Sequence, residues 1–274
     1  MLGKEIRLKR LMPTPDGKYL GLTVDHAMAR GVFPGLDTVA ETLKRMAAGG
    51  PNAITMHKGI AEKCFAPLAG TVPLVLKLTT FGPYHPNCDT PVADVEEAVA
   101  LGADAVSVGC IVGGAAQPEQ LAMLGRFSKE AHRLGVPLIS HIYPRGEQIA
   151  PADQYSVDNV IYAARAAAEL GVDLIKTNYT GSPESFAKVV QAVPARVAIA
   201  GGTSAKTAAE YIQMTRDVMD AGAAGVTYGR FVITYPHTTS LVKVLSQVIH
   251  ERLSARDAVA LLEQLEAEEE ARTC

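Results

Sequence analysis

The sequence predicts an α/β fold, a single (β/α)8 TIM barrel. Its 274 residues suit a fold that takes about 250. About eight short β-rich runs alternate with longer helical patterns, the order expected of a parallel sheet with helical crossovers. Four helix-to-strand joints also carry a glycine at the same place.

Residues 1–17 read as a short N-terminal extension, with charges scattered among its apolar positions. The strand runs follow as Tyr19–Asp25, Ala53–His57, Pro73–Thr79, Ala105–Gly109, Pro137–Tyr143, Val172–Thr177, Arg196–Gly201 and Gly225–Gly229. The helical patterns between them end as EEAVALG at Gly102, AHRLG at Gly135, AAAELG at Gly171 and DVMDAG at Gly222. A glycine there takes the left-handed backbone that stops a helix. The joints imply a repeated αβ unit, which alone fits an open sheet as well as a closed barrel. Residues from about 254 to 274 read as a helical tail whose acidic end, Glu266 and Glu268 to Glu270, is expected to be solvated. No low-complexity segment or linker divides the chain, so residues 1–274 are expected to form one domain.

Hydrophobic residues make up 48% of the chain, enough for a sizeable core, and the net charge is −3. A nucleic-acid or anionic-membrane binder usually shows a basic excess, so neither partner is expected. No apolar run is long enough to span a membrane. The N-terminus lacks the uninterrupted apolar core of a signal peptide, so a cytoplasmic protein is expected. Cys64, Cys88, Cys110 and Cys274 are widely spaced and read as reduced thiols.

In a barrel, active sites sit at the C-terminal ends of the strands. Lys176 ends VDLIK, Tyr143 ends LISHIY and Asp25 ends LGLTVD. Alternation puts Leu174 with Lys176, Ile139 and His141 with Tyr143, and Tyr19 and Thr23 with Asp25 on one face of each strand. If those faces point inward, the three groups meet at the mouth. Burial lowers a lysine's pKa, and the neutral amine attacks a ketone. The protonated imine then stabilises the carbanion left when a neighbouring carbon–carbon bond breaks. A phenol at Tyr143 suits proton transfer, and a carboxylate at Asp25 can hold the lysine's charge or act as a base. Plainer readings stand beside these: a lysine paired with Asp25, a rim tyrosine, and Asp25 as a helix cap. Lys58 and Lys77, near the ends of the second and third strands, are rival amines.

Two glycine steps follow the last two strands, Gly201-Gly202 and Gly229-Arg230. The loops there are the usual phosphate site of this fold. Thr203 or Ser204 is expected to open the next helix, and Arg230 to add charge-assisted bonds. The seven histidines are spread along the chain without metal-ligand spacing, so no metal or cofactor is expected. His26 lies near the mouth as a substrate contact; His141 reads better as a hydrogen-bonded core histidine.

Taken together, these residues resemble the archaeal-type class I aldolases. That group includes fructose-bisphosphate aldolase and 2-amino-3,7-dideoxy-D-threo-hept-6-ulosonate synthase. The resemblance runs from about residue 25 to 250. It is carried by Asp25-His26, LGADAVSVG, Tyr143-Pro-Arg-Gly146, Lys176-Thr-Asn-Tyr179-Thr-Gly181, Ala200-Gly-Gly202 and Gly229-Arg230. It implies a Schiff base on Lys176, proton transfer by Tyr143, Asp25 as acid/base partner, and phosphate contacts from Gly201, Gly202, Gly229 and Arg230. It also implies a homo-oligomer. Ala27, where the family has glycine, and Phe231, where it tends to asparagine, touch loops that shape the substrate pocket. The Tyr-Pro-Arg-Gly and Lys-Thr-x-Tyr-Thr-Gly stretches are similar to the heptulosonate synthase branch. The activity chosen from the resemblance is aldol condensation of dihydroxyacetone phosphate with L-aspartate 4-semialdehyde. The product is a seven-carbon amino-keto-acid phosphate on the way to 3-amino-4-hydroxybenzoate. Fructose-bisphosphate aldolase, the heptulosonate synthase and a non-catalytic phosphometabolite-binding barrel are the alternatives.

Overall fold

A computed structural model describes residues 1–202 and 205–273. Its strands are β1 (Tyr19–Thr23), β2 (Ala53–Met56), β3 (Leu74–Lys77), β4 (Thr79–Gly82), β5 (His85–Pro91), β6 (Ala105–Val112), β7 (Leu138–Pro144), β8 (Leu174–Thr177), β9 (Arg196–Ala200) and β10 (Gly225–Tyr228). Eight of them close into a barrel in the order β1-β10-β9-β8-β7-β6-β3-β2, every neighbouring pair parallel. The chain is therefore a (β/α)8 TIM barrel. Gly102, Gly135, Gly171 and Gly222 all have positive φ, the backbone expected at the helix-to-strand joints.

Each strand divides its residues between two faces. The outward set, such as Leu20, Leu22, Ile54, Leu76 and Val106, is fully buried beneath the helices. The inward set is graded along the barrel axis. At the N-terminal end Tyr19, Ala53, Val75, Ala105, Ile139, Leu174 and Ala198 form an apolar layer. One step up the same faces carry Thr23, Thr55, Lys77, Ser107, His141, Lys176 and Thr227, all buried. Small residues in the lower layer make room for Tyr19: a Cβ at Gly21 would fall 2.5 Å from its ring.

Three features depart from the sequence reading. Residues 1–17 contain a helix, Leu2–Leu11, and Leu8, Leu11 and Met12 pack against the apolar layer. Its charges are the other half of that design: Lys4 pairs with Asp173 at 2.8 Å and Arg10 with Asp104 at 3.2 Å. The second feature is the antiparallel hairpin β4–β5, unforeseen because β5 is mostly exposed and so carries no apolar alternation. The third is the C-terminal helix Ala255–Thr273. Its acidic end is not simply solvated: Glu266 accepts from the Tyr235 hydroxyl at 2.5 Å and Glu269 from the Ser240 hydroxyl at 2.9 Å. Glu269 also lies 3.3 Å from His237 Nδ1, at the start of the helix Thr238–His250, where free backbone N–H groups favour negative charge.

Among the described residues no helix is long and apolar enough to cross a membrane. Cys64, Cys88 and Cys110 are free thiols.

Candidate active site

A cavity of about 300 Å³ opens at the C-terminal end of the barrel. Asp25, Tyr143 and Lys176 all line it, as do His26, Gly201, Gly202, Gly229 and Arg230. The expected residues are thus brought to one place. Thr203 and Ser204 lie outside the described residues; the next helix, Ala208–Asp220, is capped by Thr207, which accepts from the Glu210 N–H in a capping box.

Lys176 is 7% exposed at the top of β8. Burial brings its ammonium down to a pKa of about 8, with Asp25 opposing the shift and Lys77 and Arg230 adding to it. No carboxylate lies within ion-pair distance of Lys176 among the described residues. Lys176 is therefore not the core member of a salt bridge but a buried lysine whose amine is released at a lower pH than an ordinary lysine's.

Asp25 follows β1 and stands 3.7 Å from His26 Nδ1 and 4.0 Å from His141 Nδ1. It is no helix cap: the short helix Ala27–Arg30 follows His26, without a side-chain cap. Burial alone would raise the carboxyl's pKa, but His26, His141, Lys77 and Lys176 together hold it well below the usual range. Burial lowers His26 to about 4 and His141 well below 6.5, so both rings are neutral at pH 7. The lysines Lys77 and Lys176 add to the effect on Asp25. Tyr143 shows the opposite effect: burial first, then Asp25, pushes its phenol well above 10. It rests protonated as a donor.

The rival amines separate cleanly. Lys58 pairs with Glu97 at 2.6 Å, half-exposed on the outside of the barrel. Lys77, in contrast, lines the cavity at 5% exposure and meets His141 Nδ1 at 3.2 Å. His141 is buried and hydrogen-bonded as expected, yet it belongs to the cavity wall. The hairpin adds Asp89, which accepts from Thr79 Oγ1 at 2.9 Å and exchanges backbone bonds with the Gln120 amide. Nothing in the local pattern of FGPYHPNCDT marks Asp89 as inward-facing.

The rim is cationic. Arg30, Arg145 and Arg230 line the cavity, and the first is destabilised by burial and then by the other two. None has an acidic partner among the described residues. Arg145 donates to the Pro86 carbonyl at 2.5 Å and lies 4.8 Å over the Phe81 ring, with its Nε unpartnered. Arg30 carried no signal in the sequence. The Gly229 position is reserved for close approach, since a Cβ there would run into the His26 ring. Gly202 has φ +59, and both glycines of its step face the cavity. Among the described residues no group of three or more His, Cys, Asp or Glu is arranged to hold a metal ion.

This arrangement can bind an anionic ligand and present it to a buried, deprotonatable amine. A family model described as DeoC/LacD family aldolase matches residues 20–234. The chain is 37% identical over 261 residues to the 2-amino-3,7-dideoxy-D-threo-hept-6-ulosonate synthase of Halobacterium salinarum, covering 94% of this chain and 96% of that protein. An archaeal fructose-1,6-bisphosphate aldolase, solved with its catalytic lysine covalently bound to a carbinolamine intermediate, superposes with TM-score 0.82 at 29% identity. That match covers 90% of this chain and 99% of the other. The fructose-bisphosphate aldolase of Slackia heliotrinireducens, at TM-score 0.84 and 20% identity over 96% and 90% of the two chains, shares the fold. The chain belongs to the DeoC/LacD aldolase family and is a Schiff-base-forming class I aldolase.

Proposed function

We propose that Lys176 forms the Schiff base with dihydroxyacetone phosphate and that the resulting enamine adds to L-aspartate 4-semialdehyde. The observation that carries this reading is the pairing of a buried lysine, its pKa brought to about 8, with a cavity rim of three arginines lacking acidic partners. Lys77 is the poorer nucleophile of the two cavity lysines, because it is engaged with His141 and faces Asp89 and Asp25.

In this reading the ketone's phosphate meets the backbone N–H groups of the Gly201-Gly202 and Gly229 steps, and the Arg230 guanidinium. His26 closes the same side. The ketone carbon then stands beside Lys176. The free amine adds to it, and the carbinolamine hydroxyl leaves as water with the proton of Tyr143. The iminium cation faces Asp25, ionised for this purpose. The Tyr143 phenolate takes a proton from C3, and the electrons of that bond become the enamine. C3 attacks the aldehyde carbon; the new alkoxide takes the proton back from Tyr143. Water adds to the iminium, its proton returning to the Tyr143 phenolate, and the carbinolamine collapses to product and free lysine. Holding both reactants in one cavity removes much of the entropic barrier of a two-substrate step.

The acceptor's own anionic group meets Arg30 and Arg145. These two also line a second, adjoining cavity between the Ala27–Arg30 helix and the hairpin, so the acceptor enters from that side. A carboxylate suits the fork of a guanidinium. We place residues 1–274 in one aldolase domain working in the cytoplasm.

The test is a product assay. Enzyme, dihydroxyacetone phosphate and L-aspartate 4-semialdehyde should yield a seven-carbon amino-keto-acid phosphate by mass spectrometry. Consumption of glyceraldehyde 3-phosphate with no reaction of the semialdehyde would replace this acceptor with a phosphorylated one.

A further inference from the structure

Lys77 and His141 take no part in the chemistry described above, yet both stand on the wall beside Lys176. His141 is the register partner of Lys176 on the neighbouring strand, and adjacent strands lie about 4.8 Å apart. Lys77 Nζ lies 3.2 Å from His141 Nδ1. Burial lowers the Lys77 pKa, while Asp89 and Asp25 sustain its charge. With Lys77 as an ammonium, which has three donors and no acceptor, the lysine donates and Nδ1 accepts. The imidazole is neutral, held so by burial and then by the charges of Lys77 and Lys176. A neutral imidazole carries a single N–H, and with Nδ1 accepting, that hydrogen sits on Nε2. Nε2 has no protein partner among the described residues and is not among the enclosed polar atoms, while the ring itself lines the cavity.

We propose that Lys77 fixes His141 as its Nε2–H tautomer, and that His141 donates this hydrogen to a substrate oxygen beside the imine carbon. The inference rests on Lys176 being the imine lysine. Two oxygens lie within the chemistry of that position: the ketone oxygen, which becomes the carbinolamine hydroxyl, and the hydroxyl on C3. Both accept a hydrogen bond. Neutrality of the ring protects the enamine. An imidazolium beside it would protonate its carbon and compete with the aldehyde, whereas a neutral imidazole is far too weak an acid to do so. Lys77 thereby acts as a positioning residue: it never meets the substrate in this scheme, and it decides which ring nitrogen does.

The pair is testable without knowing the acceptor. In enzyme labelled with 15N-histidine, long-range proton–nitrogen NMR reads the tautomer of each ring, and His141→Gln assigns the signal. Wild-type His141 should show a protonated Nε2 and a bare Nδ1 at neutral pH. Lys77→Met should move hydrogen onto Nδ1. In kinetics, His141→Leu should still be trapped by borohydride with dihydroxyacetone phosphate at Lys176. Its kcat should fall about 10- to 100-fold, the effect of losing one hydrogen bond to the reacting centre. His141→Gln, whose amide N–H reaches the place of Nε2, should recover most of that loss. A wild-type ring protonated on Nδ1, or His141→Leu with wild-type kcat, overturns the proposal while leaving the Lys176 imine intact. A wild-type adduct found on Lys77 instead overturns the imine assignment itself, and this proposal with it.

Discussion

Replacing Asp25 by asparagine should make Lys176 more reactive and the enzyme slower. Burial sets the amine's pKa at about 8, and Asp25 is the largest charge resisting that shift. The amine is neutral above its pKa. At pH 7 about a tenth of Lys176 is therefore free amine, against about 1 in 3,000 for an ordinary lysine of pKa about 10.5. Removing one opposite charge at close range shifts such a midpoint by about one pH unit. The direction is down, since the carboxylate favours the charged form. The free fraction at pH 7 then rises to about half, roughly fivefold. Limited acylation with acetic anhydride over a pH series, with Lys176 read by mass spectrometry, measures the midpoint apart from any later step. Turnover should fall, because the iminium cation loses the anion that faces it. A midpoint for Asp25→Asn that stays at the wild-type value, or rises, would refute the electrostatic account of this lysine.

Tyr143→Phe should still form the trapped imine but turn over about 100-fold or more slower, and full turnover would remove this phenol from the proton transfers. Arg230→Leu should raise KM for dihydroxyacetone phosphate about 10- to 100-fold, the loss of a charge-assisted bond, while leaving unphosphorylated dihydroxyacetone unaffected; equal effects on both ketones would place the phosphate elsewhere. Leu11→Ala should lower unfolding stability by about 2–5 kcal/mol in urea, because Leu11 is 2% exposed against the barrel's lower layer, with KM unchanged. Gly225→Ala should cost about 3 kcal/mol, since its Cβ would overlap the Tyr19 carbonyl oxygen, a backbone atom that cannot swing away.

The barrel was legible because its signals are local. Strand alternation and the glycine joints depend only on neighbours in sequence, and the eight strand runs differ from the observed strands by a few residues at their ends. That the three candidate residues line one cavity was legible for a related reason: a lysine, a tyrosine and an aspartate close apolar strands, where burial needs a justification. What stayed hidden depends on long-range contact. Lys77 and Lys58 look alike as lysines after short strands, and only the fold sends one into the cavity and the other to Glu97. Asp89 sits in an exposed, irregular hairpin, and its inward turn is fixed by Gln120, 31 residues away. Arg30 follows no motif, and its meaning comes from two other arginines that arrive on different loops. The N-terminal helix was missed because its apolar side is only partly apolar in sequence, its charges being matched by Asp104 and Asp173 on the barrel.

Borohydride reduction in the presence of dihydroxyacetone phosphate, followed by mass spectrometry of the digested protein, tests the account most directly. The prediction is a single adduct carrying the three-carbon phosphate on Lys176, absent from Lys176→Met. An adduct on Lys77, or trapping that survives in Lys176→Met, would contradict the assignment on which the mechanism stands.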